Sequence, residues 1–230
     1  MQANAPTYET WHKEPEREAR MGDAHAPYWR HFIMSVPEAD LSDKSILDFG
    51  CNRGGFLRLL HALRPFRRGL GVDIARESVA AARSLKGNLP IEYEMAGDLT
   101  AWTGQIDVAF SYEVIYLLPD LQHHAAQIRR VLRDGGVYYA VTGCHTDSHL
   151  WPRWRTLLVE ITNAPVHDYS PEDYIKAFAN QGLSVSFKKF GYNGFVPTPT
   201  DARYYPKAID AVIYPADDKL LFRIAKPTAA

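Results

Sequence analysis

The sequence predicts an α/β protein built on a doubly wound, mostly parallel seven-stranded sheet with helices on both faces. Three observations predict it. Between residues 45 and 142, short apolar runs alternate with stretches of helical period, the pattern of strand–helix–strand units that pack into a parallel sheet covered on both sides. Glycines and prolines punctuate the ends of these stretches, as turns require. Two further apolar runs, 183–190 and 220–225, lie far apart in the chain, and the long connection between them lets the final strand return antiparallel.

Each element has its own signal. Ser45-Ile46-Leu47-Asp48-Phe49 is a short apolar run ending at Gly50, a strand followed by a turn. Phe56, Leu59, Leu60 and Leu63 then fall on one helical face, which Pro65 closes. Residues 69–74 form the second strand and 76–85 the second helix. Ile91 to Met95 alternates with period two, and 106–111 is the fourth strand. A helix over Leu121–Leu132 stops before Asp134-Gly135-Gly136, and Val137 to Val141 is the fifth strand. A helix over Pro171–Gln181 precedes the last two strands. Residues 143–170 and 191–218 read as irregular insertions, and residues 1–44 as a polar, helix-like segment.

Composition bounds the function. The 230 residues are 46% hydrophobic and 23% charged, as in an ordinary globular protein, and the expectation is one domain over 1–230. The formal net charge is −1, whereas nucleic-acid binders carry a basic excess. Two cysteines make neither a disulfide framework nor a structural zinc site, and no metal-ligand spacing is present. No apolar run approaches the ~20 residues that span a bilayer, and the first 20 residues lack a signal peptide's apolar stretch. The expected location is the cytoplasm.

The turn Asp48-Phe49-Gly50-Cys51-Asn52-Arg53-Gly54-Gly55 carries the most chemistry. Its glycines let backbone approach a ligand at a helix start. Asp73, at the end of the second strand, lies 23 residues beyond Gly50, the spacing of an acid that accepts ribose hydroxyls. A dinucleotide site wants glycine where Asn52 stands, and Asp48 would repel a pyrophosphate. Both suit a cationic ligand without phosphates.

Here the chain resembles the class I S-adenosylmethionine-dependent methyltransferases, of small-molecule type. Their apolar strand running into D-x-G-x-G-x-G stands as Ile46-Leu47-Asp48-Phe49-Gly50-Cys51-Asn52-Arg53-Gly54, with Asn52 for the middle glycine. Gly71-Val72-Asp73-Ile74, Ala96-Gly97-Asp98-Leu99, the run 107–117 and Val131 to Val137 follow in the family's order. The resemblance implies S-adenosylmethionine as cofactor. Asp48 and the backbone through Gly50, Cys51, Asn52 and Gly54 would hold its methionine end. Asp73 would bind ribose, Ile74, Asp98 and Leu99 would form the adenine pocket, and Ser111 and Tyr112 would line the wall near the methyl group. Many relatives carry a His where Leu117 stands, so that His plays no part.

The same resemblance makes residues 1–44 a lid and the two insertions a cap over the acceptor. Four of five Trp and six of nine His fall outside 45–142, so the acceptor-choosing segments hold the unusual residues. His145, after the fifth strand, ranks first as a base, then Glu113 and His25. Trp11, Tyr28, Trp29, Tyr116, Trp151, Trp154, Tyr192 and Tyr204 are the candidate substrate-binding residues. The expected reaction is O- or N-methylation of a small aromatic or heterocyclic metabolite. Three alternatives stay open: an RNA or protein methyltransferase using the arginines of 53–68, a nicotinamide-dependent oxidoreductase, and a non-catalytic binding module.

Overall fold

The computed structural model describes residues 8–199 and 201–228. Its sheet runs in the order β3-β2-β1-β4-β5-β7-β6. The strands are β1 (Leu41–Phe49), β2 (Phe66–Asp73), β3 (Ile91–Met95), β4 (Ile106–Tyr112), β5 (Leu132–Thr142), β6 (Ser184–Lys189) and β7 (Leu220–Ala225). The first five are parallel, and β7 lies antiparallel between β5 and β6. The order reverses between β1 and β4, which opens a crevice at their carboxyl ends.

Both faces of the central strands are buried, as their sequence pattern requires. In β5, Val137, Tyr139 and Val141 enter one core with Phe32, Phe56 and Phe110. Tyr138 and Ala140 enter the other with Leu47, Phe178 and Phe222. That period-two split is what fixes strand register. The helices α2 (Gly55–Leu63) and α3 (Arg76–Leu85) follow β1 and β2, α4 (Leu121–Val131) precedes β5, and α6 (Pro171–Ala179) precedes β6. Asp120 caps α4, and Ser170 with Asp173 forms a capping box on α6.

Several elements depart from the sequence expectation: β1 starts at Leu41 rather than Ser45 and β2 at Phe66 rather than Gly69. β5 begins at Leu132 rather than Val137, because the pairing with β4 slips between Ile106 and Val108 and absorbs Arg133–Gly136 in an irregularity. The insertion 143–170 is not irregular throughout. It contains α5 (Trp151–Ile161), whose buried Trp151, Leu157, Leu158 and Ile161 form a helical stripe. The insertion 191–218 likewise ends in α7 (Ala208–Ile213) and a π-type turn over Tyr214–Asp218.

The N-terminal helix α1 (Pro15–Ser35) runs 21 residues and carries Pro27 in its interior. Its C-terminal half buries Phe32 and Ile33 in the core. The segment before it is stitched at two points: Tyr8 bridges Ala75 and His12 bridges Thr162. The chain start therefore ties the head of α3 to the tail of α5. Among the described residues, no helix is long and apolar enough to cross a membrane.

Candidate cofactor and acceptor site

A continuous cavity of about 1570 Å³ opens at the carboxyl ends of β1, β2 and β4. Pockets for one small ligand usually measure roughly 300–1,000 Å³, so two molecules can share this one. Asp48, Gly50, Cys51, Asn52, Asp73, Ile74 and Asp98 line one end. His25, Tyr28, Tyr112, Glu113, Trp154, Tyr205, Tyr214 and Lys219 line the other.

At the first end, exposed Asp98 pairs with Arg130 (3.5 Å), whereas buried Asp48 and Asp73 have no ion-pair partner among the described residues. Asp48 is 3% exposed, and its Oδ2 has no hydrogen-bond partner. Burial, and then the charge of Asp73, push its carboxyl well above the usual range. Asp73 accepts the Asn52 N–H at Oδ2 (2.7 Å) and the Ala75 N–H at Oδ1 (2.8 Å). Burial still dominates those bonds and, with help from Glu18, raises it to about 6.

The turn's geometry explains Asn52. Gly50 takes φ 82° with its Cα against the Val114 side chain, where a Cβ has no room. Asn52 also enters the left-handed region, at φ 45°, which Asn tolerates better than most residues. Its Oδ1 accepts the Arg53 N–H (2.8 Å), and its amide donates to Glu18 Oε1 (3.0 Å). The side chain thus turns toward α1, and Asn52 still lines the cavity.

The matched family is the methyltransferase domain, over residues 21–186. The chain belongs to that family. The trans-aconitate 2-methyltransferase of Azoarcus sp. (strain BH72) is 31% identical over 130 residues, 56% of this chain and 49% of that one. The chain spans at most about half the length of the curated relatives it matches. Among solved structures, a Haloferax volcanii methyltransferase in complex with the activator Trm112 superposes with a TM-score of 0.78 at 22% identity, covering 92% of this chain and 94% of that one. The geranyl diphosphate C-methyltransferase of Streptomyces coelicolor A3(2) does so at 0.65 and 18%, covering 94% and 85%. At such identities these two likenesses show the fold alone.

The family's cofactor is S-adenosylmethionine, and the residues present fit it. An orphaned buried carboxylate oxygen on Asp48 suits its ammonium group. Asp73 ends β2 and lines the cavity with Ile74, where its carboxylate would accept ribose hydroxyls. Asp98 is exposed, lines the cavity and takes the Thr100 N–H (2.9 Å) at Oδ1.

Three members of the predicted cofactor set lie elsewhere. Gly54 is outside the cavity lining. It starts α2 at φ 72° and makes room for the Tyr93 ring, whose hydroxyl donates to the Gly54 carbonyl (3.1 Å). Leu99 is 3% exposed and packs into the core with Leu70 and Val72. Ser111 is fully buried in β4 and does not reach the cavity. Strand alternation explains Ser111: its neighbour Tyr112 takes the cavity-facing place.

The acceptor candidates divide in the same way. His145 does not line the cavity. Its buried ring meets the Asp218 carbonyl through Nε2 (2.7 Å) and serves as a tie between the β5 exit and the turn before β7. Trp151 is also outside; its indole N–H donates to Asp168 Oδ1 (2.9 Å), and its ring meets Tyr116 edge-on. Tyr192 backs the cavity indirectly, with its ring 4.6 Å from that of Tyr28. Trp11, Tyr28, Trp29, Tyr116, Trp154 and Tyr204 all line it, as do Glu113 and His25.

His25 projects from α1, its ring 5.7 Å from Trp29 and 5.6 Å from Tyr112. Burial and then the Lys219 charge lower it to about 4, so the imidazole is neutral near pH 7. Sequence reasoning missed Glu18, Tyr214 and Lys219. Glu18 sits on an otherwise charged, solvated-looking helix turn, and Lys219 precedes an apolar strand with no pattern around it. Neither position carries a local signal, because each is buried by contacts from distant elements.

Proposed function

We propose that this chain transfers a methyl group from S-adenosylmethionine to an oxygen or nitrogen of a small, flat metabolite. The observation that carries the reading is one cavity with two unlike ends: an acidic cofactor end and an aromatic acceptor end. The cofactor, when bound, supplies a methyl group already activated on a sulfonium.

The chain's own residues then have positioning work. Asp48 holds a cationic group against its unpartnered oxygen. Asp73 orients hydroxyls at the end of β2. Tyr28, Tyr112, Trp154, Tyr204 and Tyr214 hold a flat acceptor and keep water out. Orientation and avoided solvent reorganisation can supply up to ~7–11 kcal/mol of a barrier in favourable cases. Aromatic faces also favour a cation by electrostatic attraction.

Four of the five arginines behind the RNA alternative are tied within the fold. Arg58 donates to the Arg53 carbonyl, Arg64 to the Val36 and Glu38 carbonyls, and Arg67 and Arg68 to Ser45 Oγ. Arginines spent on ties within the fold make a poor phosphate-binding stripe.

The test is methyl-labelled S-adenosylmethionine added with the protein to a cell extract, followed by separation by size. Label in the small-molecule fraction is the expected result. Label confined to RNA or protein refutes the acceptor class.

A further inference from the structure

Lys219 is 6% exposed, yet its side chain reaches the cavity. Its Nζ lies 2.8 Å from Glu113 Oε1 and 2.7 Å from the Tyr112 hydroxyl oxygen. The ammonium also sits over the rings of Tyr112 (4.6 Å), Tyr214 (5.2 Å) and Tyr28 (5.3 Å). Burial favours the neutral amine, but Glu113 and Tyr112 outweigh it and push Lys219 above its ordinary value. The group is therefore a fixed cation.

An ammonium carries three N–H donors. Two have partners here, and the third has no acceptor among the described residues. Glu113 does not depend on Lys219 alone. Its carboxylate also takes the Gly143 N–H (3.2 Å), the Thr142 hydroxyl (3.2 Å) and the Tyr214 hydroxyl (3.4 Å). Its backbone is held at φ 57°, the kind of conformation that accumulates at binding sites.

The residue before the lysine is pinned as well. The Asp218 carbonyl is bonded by His145 Nε2 (2.7 Å). Asp218 Oδ2 takes the Ser148 hydroxyl (2.7 Å) and meets His149 Nδ1 (2.8 Å). A buried ion pair that served stability alone would be matched by apolar side chains of similar volume. This one is instead aimed into a cavity and braced from behind. On the facing element, the His25 ring lines the cavity between Trp29 and Tyr112.

We propose that Lys219 anchors the acceptor: its remaining N–H takes the carboxylate of a small aromatic or unsaturated acid whose flat body lies among Tyr28, Trp154, Tyr205 and Tyr214. The inference rests on the reading of the cavity as a methyl-acceptor site. A single donor on a cation already shared with Glu113 suits one negative charge and not a phosphate dianion. The neutral His25 ring is left for a second polar group of the same acid.

The experiment is calorimetry on the full chain with saturating S-adenosylhomocysteine. The probes are benzoate, trans-cinnamate and indole-3-acetate, each against its primary amide. At least one acid is expected to bind tenfold or more tighter than its amide. Lys219→Met should erase that preference while S-adenosylhomocysteine affinity stays within about twofold, and Lys219→Arg should keep part of it. The double variant K219M/E113Q removes both charges together and should show the same loss, which guards against a misfolded single variant. The proposal is overturned if no acid is preferred to its amide by the wild type. It is equally overturned if the preference survives in Lys219→Met. Failure of S-adenosylhomocysteine to bind the wild type would instead strike the methyl-transfer reading.

Discussion

A carboxyl pushed up to about 6 by burial, as in Asp73, holds a proton near neutral pH that a ligand's hydroxyl donors must displace. Those donors favour the ionised form, so binding lowers the pKa below its ligand-free value. Affinity is then full above about pH 6 and falls as pH drops through it, by up to about tenfold per unit. Asp48, raised by the same burial, pulls in the same direction. Calorimetry with S-adenosylhomocysteine between about pH 5 and pH 7.5 measures this slope. Asp73→Ala should lower affinity about tenfold or more, through loss of charge-assisted hydrogen bonds. A flat pH profile in the wild type, or an undiminished affinity in the variant, removes Asp73 from the cofactor site.

At the scale of elements, the N-terminal part of α1 is fastened to the β1–α2 turn by one carboxylate. Glu18 is 2% exposed and accepts from the His12 N–H (2.8 Å), the Asn52 amide (3.0 Å) and the Ser78 hydroxyl. It therefore joins α1, the β1–α2 turn and α3. Glu18→Ala strands three donors, while relief of its repulsion with Asp73 offsets part of the loss. A net destabilisation of about 2 kcal/mol is expected, or about 4–8 °C in Tm for a chain of this size. Hydrogen exchange should quicken over residues 15–24 with β4 and β5 still protected. Uniform exchange loss would mean that α1 is part of the global core and not a separable lid. The sequence shows why such a clasp escapes notice. Strands β2, β3 and β4 were legible because apolar alternation is local, and so was the turn around Gly50. The α5 stripe of Trp151, Leu157, Leu158 and Ile161 was legible in principle, but flanking prolines and polar residues masked it. Glu18, Lys219 and the inward turn of Tyr214 depend on elements far apart in the chain, and no local pattern records them.

Taken as a whole, the molecule separates a fixed sheet from three covering segments: α1, α5 and the stretch from Val196 to Lys219, all of which contribute lining to one cavity. The third segment touches the other two through Trp154 with Tyr204 and Lys219 with Tyr28, and the chain just before α1 meets the end of α5 through His12 and Thr162. A ligand seated between them should therefore stabilise all three together, because all three line the same cavity. Binding to the folded state alone adds about 2.7 kcal/mol at a concentration of about one hundred times Kd. For a chain of this size, that is about 5–10 °C in Tm. Thermal unfolding with and without S-adenosylhomocysteine tests the shift, and hydrogen exchange tests its distribution. The expected pattern is joint slowing over α1, α5 and 196–219, with Glu18→Ala reducing the gain in all three. Slowing restricted to the β1–α2 turn would show that the cofactor end binds without closing the acceptor end. The aromatic cover would then have to be closed by the acceptor itself, with Lys219 as its first point of contact.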